Sequence, residues 1–125
     1  MINITERRHF QRVHFICDVL IHHNNDEWNS ELEDISLKGV LINSPDNILP
    51  QLEEIYDITL ILGKDATIEM QAKISYANER HWGLYWENID IEHFTHLRKL
   101  LELNTQDPNL VHRELSELGK TKINS

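Results

Sequence analysis

Three arginines fall close together in Arg7-Arg8-His9-Phe10-Gln11-Arg12. The chain has 12 Lys+Arg against 21 Asp+Glu and a net charge of -9, so this cluster reverses the local sign. Guanidinium forks pair bidentately with phosphate oxygens and guanine O6/N7, and their planes stack on bases. The chemistry they offer is a grip on a small anionic ligand that carries bases. The plainer alternative is a solvated basic segment that pairs with surplus carboxylates. A second set is Asp34-Ile35-Ser36-Leu37-Lys38-Gly39. On extended backbone Asp34 and Ser36 point the same way. The carboxylate could accept from paired N–H donors such as a guanine edge, and the hydroxyl can donate or accept. Gly39 permits a positive φ or a close backbone approach. The alternative here is a turn in which Asp34 and Ser36 bond their own backbone.

Other reactive groups are less organised. His93 and His96 are spaced i, i+3 on a predicted helix and could share a metal with Asp90 or Glu92. No second cluster completes such a site, so surface histidines are expected. His14 and Cys17 point to opposite faces of a predicted strand, which rules out a local chelate. No nucleophile–base set is placed by local spacing, and there is no P-loop or G-x-G-x-x-G. The expectation is a protein without catalysis, metal or cofactor.

The elements that must position these residues are mostly strands. Ile68, Met70, Ala72, Ile74 and Tyr76 alternate with polar residues over 67–76, a period of two with one buried face. A run over 55–62 alternates in the same way, and Gly63-Lys64-Asp65-Ala66 between the two suits a hairpin. Residues 81–87 place Trp82, Leu84 and Trp86 on one side. Upstream, Phe15, Cys17, Val19 and Ile21 share a face before a turn at His22 to Asp26, and further strands fall near 27–34 and 38–43. Pro45 and Pro50 mark 44–53 as a loop. Six short strands with tight links suggest an antiparallel barrel or sandwich. The period then changes: Phe94, Leu97, Leu100 and Leu101 form one helical stripe with Asp90 as N-cap. Asp107-Pro108 opens a second helix striped by Val111, Leu115 and Leu118.

At 125 residues, 40% of them apolar and 26% charged, the composition is that of one ordinary globular domain. The acidic balance argues against a general DNA, RNA or anionic-membrane binder, which needs a basic surface. The lone Cys17 cannot form an internal disulfide. No apolar run is long enough to cross a membrane as a helix, and the first residues lack a signal peptide's apolar stretch. A cytoplasmic monomer is the default expectation.

Taken together, Arg8-x-x-x-Arg12 and Asp34-x-Ser36-x-x-Gly39 ahead of a strand-rich body resemble the PilZ domain family. The resemblance covers nearly the whole chain and looks closest to the stand-alone members. It implies a six-stranded antiparallel β-barrel with C-terminal helices: a basic arm at 1–13, a barrel at 14–88 and helices at 91–119. It also implies a non-enzymatic bacterial receptor for cyclic di-GMP that signals to an unidentified downstream protein. In that pattern Arg8 and Arg12 hold phosphates and guanine faces, and Asp34, Ser36 and Gly39 contact the guanine from the other side. Arg7, just before the first motif arginine, is associated with an intercalated pair of ligands. Tyr76 falls where similar members carry a stacking aromatic, usually Trp, while its spacing from Ile74 equally suits a core position. The arm from Glu6 to Gln11 is expected to be mobile until ligand orders it against the barrel. The alternative is a PilZ-type interaction module that serves pilus or flagellar function without nucleotide.

Overall fold

In the computed structural model, which describes residues 10–119, the alternating segments become strands. They are β1 (Val13–His14), β2 (Asp18–His23), β3 (Asp26–Ile35), β4 (Gly39–Asn43), β5 (Tyr56–Ile61), β6 (Thr67–Ala77) and β7 (His81–Asn88). Helices α1 (Ile91–Asn104) and α2 (Pro108–Gly119) follow. All pairings are antiparallel, and the order β3-β2-β5-β6-β7-β4 returns to β3 through a β3–β4 pairing. Six strands therefore close into a barrel with no free edge between first and last. The seventh, β1, runs along β3 in line with β2.

Two boundaries depart from the sequence reading. The strand expected from Phe15 is interrupted: His14 to Asp18 lies opposite Asp34 to Glu31, so one extra residue bulges out around Phe15–Cys17. Phe15 N–H still reaches Glu33 O at 3.3 Å, and Leu32 N–H reaches Cys17 O at 2.9 Å. The turn expected over His22–Asp26 contracts to Asn24-Asn25, with Asn24 at φ 59. Cross-strand pairing keeps the polar residues extended, and His22 faces Glu27 at 3.1 Å.

The barrel interior is filled by the inward halves of the alternating strands, among them Ile21, Leu32, Ile42, Ile58, Leu60, Ile68 and Trp82. Each such side chain contributes about 1.5–3 kcal/mol relative to leaving it in water. Phe94, Leu97 and Leu101 of α1 join that core with Val111 and Leu118 of α2. Asp90 caps α1 by accepting from His93 N–H at 3.0 Å, and Asp107 Oδ1 accepts from Asn109 N–H at 3.1 Å ahead of α2. The histidine pair on α1 is not idle, since His93 Nδ1 accepts from Glu69 N–H at 3.1 Å and so ties the helix to β6.

Candidate functional site

The segment leading into β1 is seated on two sides. The Phe10 ring lies 5.8 Å from Lys38 Nζ and packs against the edge of the core. Gln11 donates its backbone N–H to Glu114 Oε2 at 2.7 Å and accepts from the Thr105 hydroxyl on its side-chain oxygen at 2.8 Å. Glu114 is buried, so the arm's backbone supplies a donor to a carboxylate shielded from water. The mobile arm expected through Gln11 is thus anchored at Phe10 and Gln11. Arg12 follows, exposed, with its charge acting on Asp34. Arg7 and Arg8 lie outside the described residues.

Asp34 belongs to a row that crosses five strands. It lies opposite His14 on β1 and Leu41 on β4; Leu41 lies opposite Gly83 on β7, and Gly83 opposite Tyr76 on β6. The alternate neighbours Val13, Ile35, Val40, Ile42, Trp82 and Leu84 are buried, so the row faces outward. Burial pushes the half-buried Asp34 carboxyl up from its ordinary range, Arg12 counters this most, Glu33 adds to it, and His14 and His81 pull it down. A carboxylate kept partly dry beside the Arg12 guanidinium can accept from N–H donors.

Ser36 stands differently from Asp34, because β3 ends at Ile35. Its N–H donates to Gly39 O at 2.9 Å and its Oγ accepts from Lys38 N–H at 3.2 Å, which makes a self-bonded turn with little of Ser36 exposed. Gly39 serves by close approach and not by positive φ: a Cβ there would fall on the Leu84 carbonyl oxygen. Trp86 braces the same turn, donating Nε1–H to Leu37 O at 2.7 Å and its backbone N–H to Lys38 O at 3.1 Å.

Tyr76 does not share the inward face of Ile74. The register slips between Ile74 and Tyr76, which leaves Ser75 as the extra residue, and Ser75 Oγ donates to Gly83 O at 3.0 Å. The bulge turns Tyr76 outward to 39% exposure. Five residues at or behind this face are not assigned to the site by the sequence reading: Gln11, His14, His81, Gly83 and Trp86. The glycine in Trp82-Gly83-Leu84 was the one local signal, an outward strand position with no side chain. The others depend on register and long-range contacts.

Among the described residues no group of three or more His, Cys, Asp or Glu could hold a metal ion, and no helix is long and apolar enough to cross a membrane. A family model described as the PilZ domain matches residues 6–103. Among solved structures, the fold is similar to the Bacillus subtilis inhibitor of motility MotI/DgrA, with TM-score 0.63, 20% identity, and coverage of 88% of this chain and 52% of that one. This chain therefore spans about half the length of MotI. It is also similar to the PilZ domain of CeSA from a cellulose-synthesizing bacterium, with TM-score 0.60, 14% identity, and coverage of 72% and 93%. PlzA of Borreliella burgdorferi, solved in complex with c-di-GMP, matches with TM-score 0.52 and 12% identity over 70% of this chain and 38% of that one. At these identities the likeness is one of fold.

Proposed function

Because this chain belongs to the PilZ domain family, whose members are binding modules and not enzymes, we propose that it is a receptor for cyclic di-GMP that reports ligand occupancy to a downstream protein. The observation that carries the reading is that Arg12 and Asp34, from two separate motifs, act on each other on one outer face that also bears Tyr76. In this reading Arg8 and Arg12 hold phosphates and guanine faces, and Arg7 adds the cation that a second, intercalated ligand requires. Asp34 accepts from the guanine N1–H and N2–H groups, with the Ser36–Gly39 turn beside it, and Tyr76 stacks on a base. The c-di-GMP complex of PlzA supports the choice of ligand, and the naming of MotI as an inhibitor of motility supports an output through a protein partner. The same reading makes the chain one cytoplasmic domain: a basic arm, a barrel and a helical pair.

Isothermal titration of cyclic di-GMP into the purified protein, beside the Arg8→Ala, Arg12→Ala double variant, tests this. Saturable binding that the double variant loses supports the receptor, and a stoichiometry near two supports the role given to Arg7. Absence of heat in a folded sample overturns the reading in favour of a nucleotide-independent interaction module.

A further inference from the structure

We propose that His14 and His81 belong to this ligand face as proton-dependent cations, so that cyclic di-GMP binds more tightly as pH falls through the imidazole range. The proposal rests on the receptor reading and adds a regulation to its site.

The argument begins with charge. A cyclic dinucleotide carries two phosphodiester charges and approaches a chain whose net charge is -9. Among the described residues Arg12 is a permanent cation whose charge acts on the Asp34 carboxylate, and Lys38 in the neighbouring turn and Arg80 beside His81 carry permanent charge as well. The receptor reading adds Arg7 and Arg8 to this charge, and any neutral group nearby that becomes positive strengthens the field that an incoming dianion meets.

Two imidazoles are placed to do so. His14 is the direct cross-strand partner of Asp34, exposed and outward, with Val13 beside it turned into the core. His81 lies two residues before Gly83 on the outward side of β7, paired with Asn43, one outward position along from the Leu41–Gly83 pair. Both act on the Asp34 carboxyl from opposite sides, His14 across β1–β3 and His81 from beyond β4.

Among the described residues, the other charged groups near them are few. Around His14 they are Asp34 and Glu33 of β3 and Arg12 of its own segment. Around His81, β4 contributes the neutral Asn43, the β6–β7 turn carries Glu79 and Arg80, and β3 contributes Asp34.

Among the described residues, the histidines elsewhere are occupied. His22 contacts Glu27, His23 contacts Ile55 O and Glu54, His93 holds Glu69 N–H, His96 packs edge-on to His93, and His112 contacts Glu102. Among the described residues, the rings of His14 and His81 have no such hydrogen bond or ion pair. Imidazole is the side chain that gains charge near neutrality, so a proton taken up by either ring adds a cation to this face. Each charged ring attracts the phosphates and keeps Asp34 ionised for the guanine edge. Ligand binding then takes up protons, and affinity rises as pH falls.

The test is isothermal titration of cyclic di-GMP into the full chain between roughly pH 8 and pH 6, the span over which imidazole charges. The same titrations use the His14→Gln, His81→Gln double variant. At about pH 7, repeating the wild-type titration in two buffers of different ionisation enthalpy counts the protons taken up without relying on any variant. The expected result is roughly a three- to tenfold gain in wild-type affinity on acidification, with net proton uptake. The double variant should lose that gain. A flat wild-type profile without proton uptake, or a gain that the double variant keeps, overturns the proposal and leaves the receptor reading standing. Absence of binding at every pH in a folded sample overturns both.

Discussion

The ring of Tyr76 occupies the space that a side chain on Gly83 would fill. A Cβ built on Gly83 would lie 2.5 Å from Cε1 and 2.8 Å from Cδ1 of that ring. The glycine is therefore the floor on which the aromatic lies, and the Ser75 bulge is what turns the ring outward onto it. Gly83→Ala should displace an exposed ring, not the backbone, and so leave the barrel folded. In the receptor reading, Tyr76→Ala should weaken cyclic di-GMP binding by about 1–3 kcal/mol, the worth of one base–aromatic stack. Gly83→Ala should reproduce part of that loss with Tyr76 intact. Titration of the two variants checks this, and wild-type affinity in both would remove Tyr76 from the site.

Asp34 predicts a trade between stability and binding. The fold holds its carboxyl above the ordinary range, chiefly by burial, so the folded chain keeps that proton more readily than the unfolded chain. The associated stability is fully present below the ordinary value and is lost as pH rises through the raised one. At neutral pH the ionised group is thus a burden on the fold. Asp34→Asn should raise Tm at neutral pH, and the advantage should vanish under acid conditions where wild-type Asp34 is protonated. Asp34→Ala, which removes every acceptor, should weaken cyclic di-GMP binding on the order of tenfold. Thermal melts across pH, set beside the titration, measure both sides.

Much of the barrel was legible because burial on one face imposes a period of two. The alternation in 55–62 and 67–76 matches β5 and β6 to within a residue at either end. Both helix starts were legible because Asp90 and Asp107 carry their own capping chemistry. What escaped were the irregularities. The extra residues around Phe15–Cys17 and at Ser75 break the alternation without any glycine or proline to mark them. Tyr76 was therefore open to a core reading that a single register slip reverses. The site was legible only as two motifs. That the Arg12 charge acts on Asp34, and that His14 and His81 flank it, follows from pairing across β1, β3, β4 and β7, which no local spacing encodes.

Glu114 links the arm to the helices, because its carboxylate is buried and accepts the Gln11 N–H. Glu114→Ala leaves that donor without its acceptor in a partly buried position, at a cost of about 1–3 kcal/mol. The denaturation midpoint should fall accordingly. Amide exchange at Gln11, Arg12 and Val13 should accelerate more than exchange in β5 and β6, since the anchor is local. Uniform acceleration across the barrel would show that Glu114 supports the core at large.

Burial, reinforced by the neighbouring Asp18 charge, pushes the Cys17 thiol from an ordinary 9.0 up to about 11. The thiolate is the reactive form, so alkylation by iodoacetamide at mildly alkaline pH should be slow in the native protein and fast in denaturant. Thiol ionisation should cost stability only as pH rises from 9.0 through about 11. Rapid labelling of the native chain would mean that the bulge around Cys17 opens readily.

Trp86 separates the architecture of the site from its contacts. Its ring packs edge-on against Phe94 at 6.0 Å, and its Nε1–H donates to Leu37 O, inside the turn that carries Ser36 and Gly39. Trp86→Phe keeps an aromatic ring against Phe94 and deletes that donor. The Leu37 carbonyl then loses a partner in a half-buried position, which costs about 1 kcal/mol or somewhat more. The backbone bond from Trp86 N–H to Lys38 O survives, so the turn should loosen without detaching. Cyclic di-GMP affinity should consequently fall less than in Asp34→Ala, and exchange at the Lys38 and Gly39 amides should quicken while β5 stays protected. Should affinity fall as far as in Asp34→Ala with those amides unchanged, Trp86 would be touching ligand directly and its bracing role would be secondary.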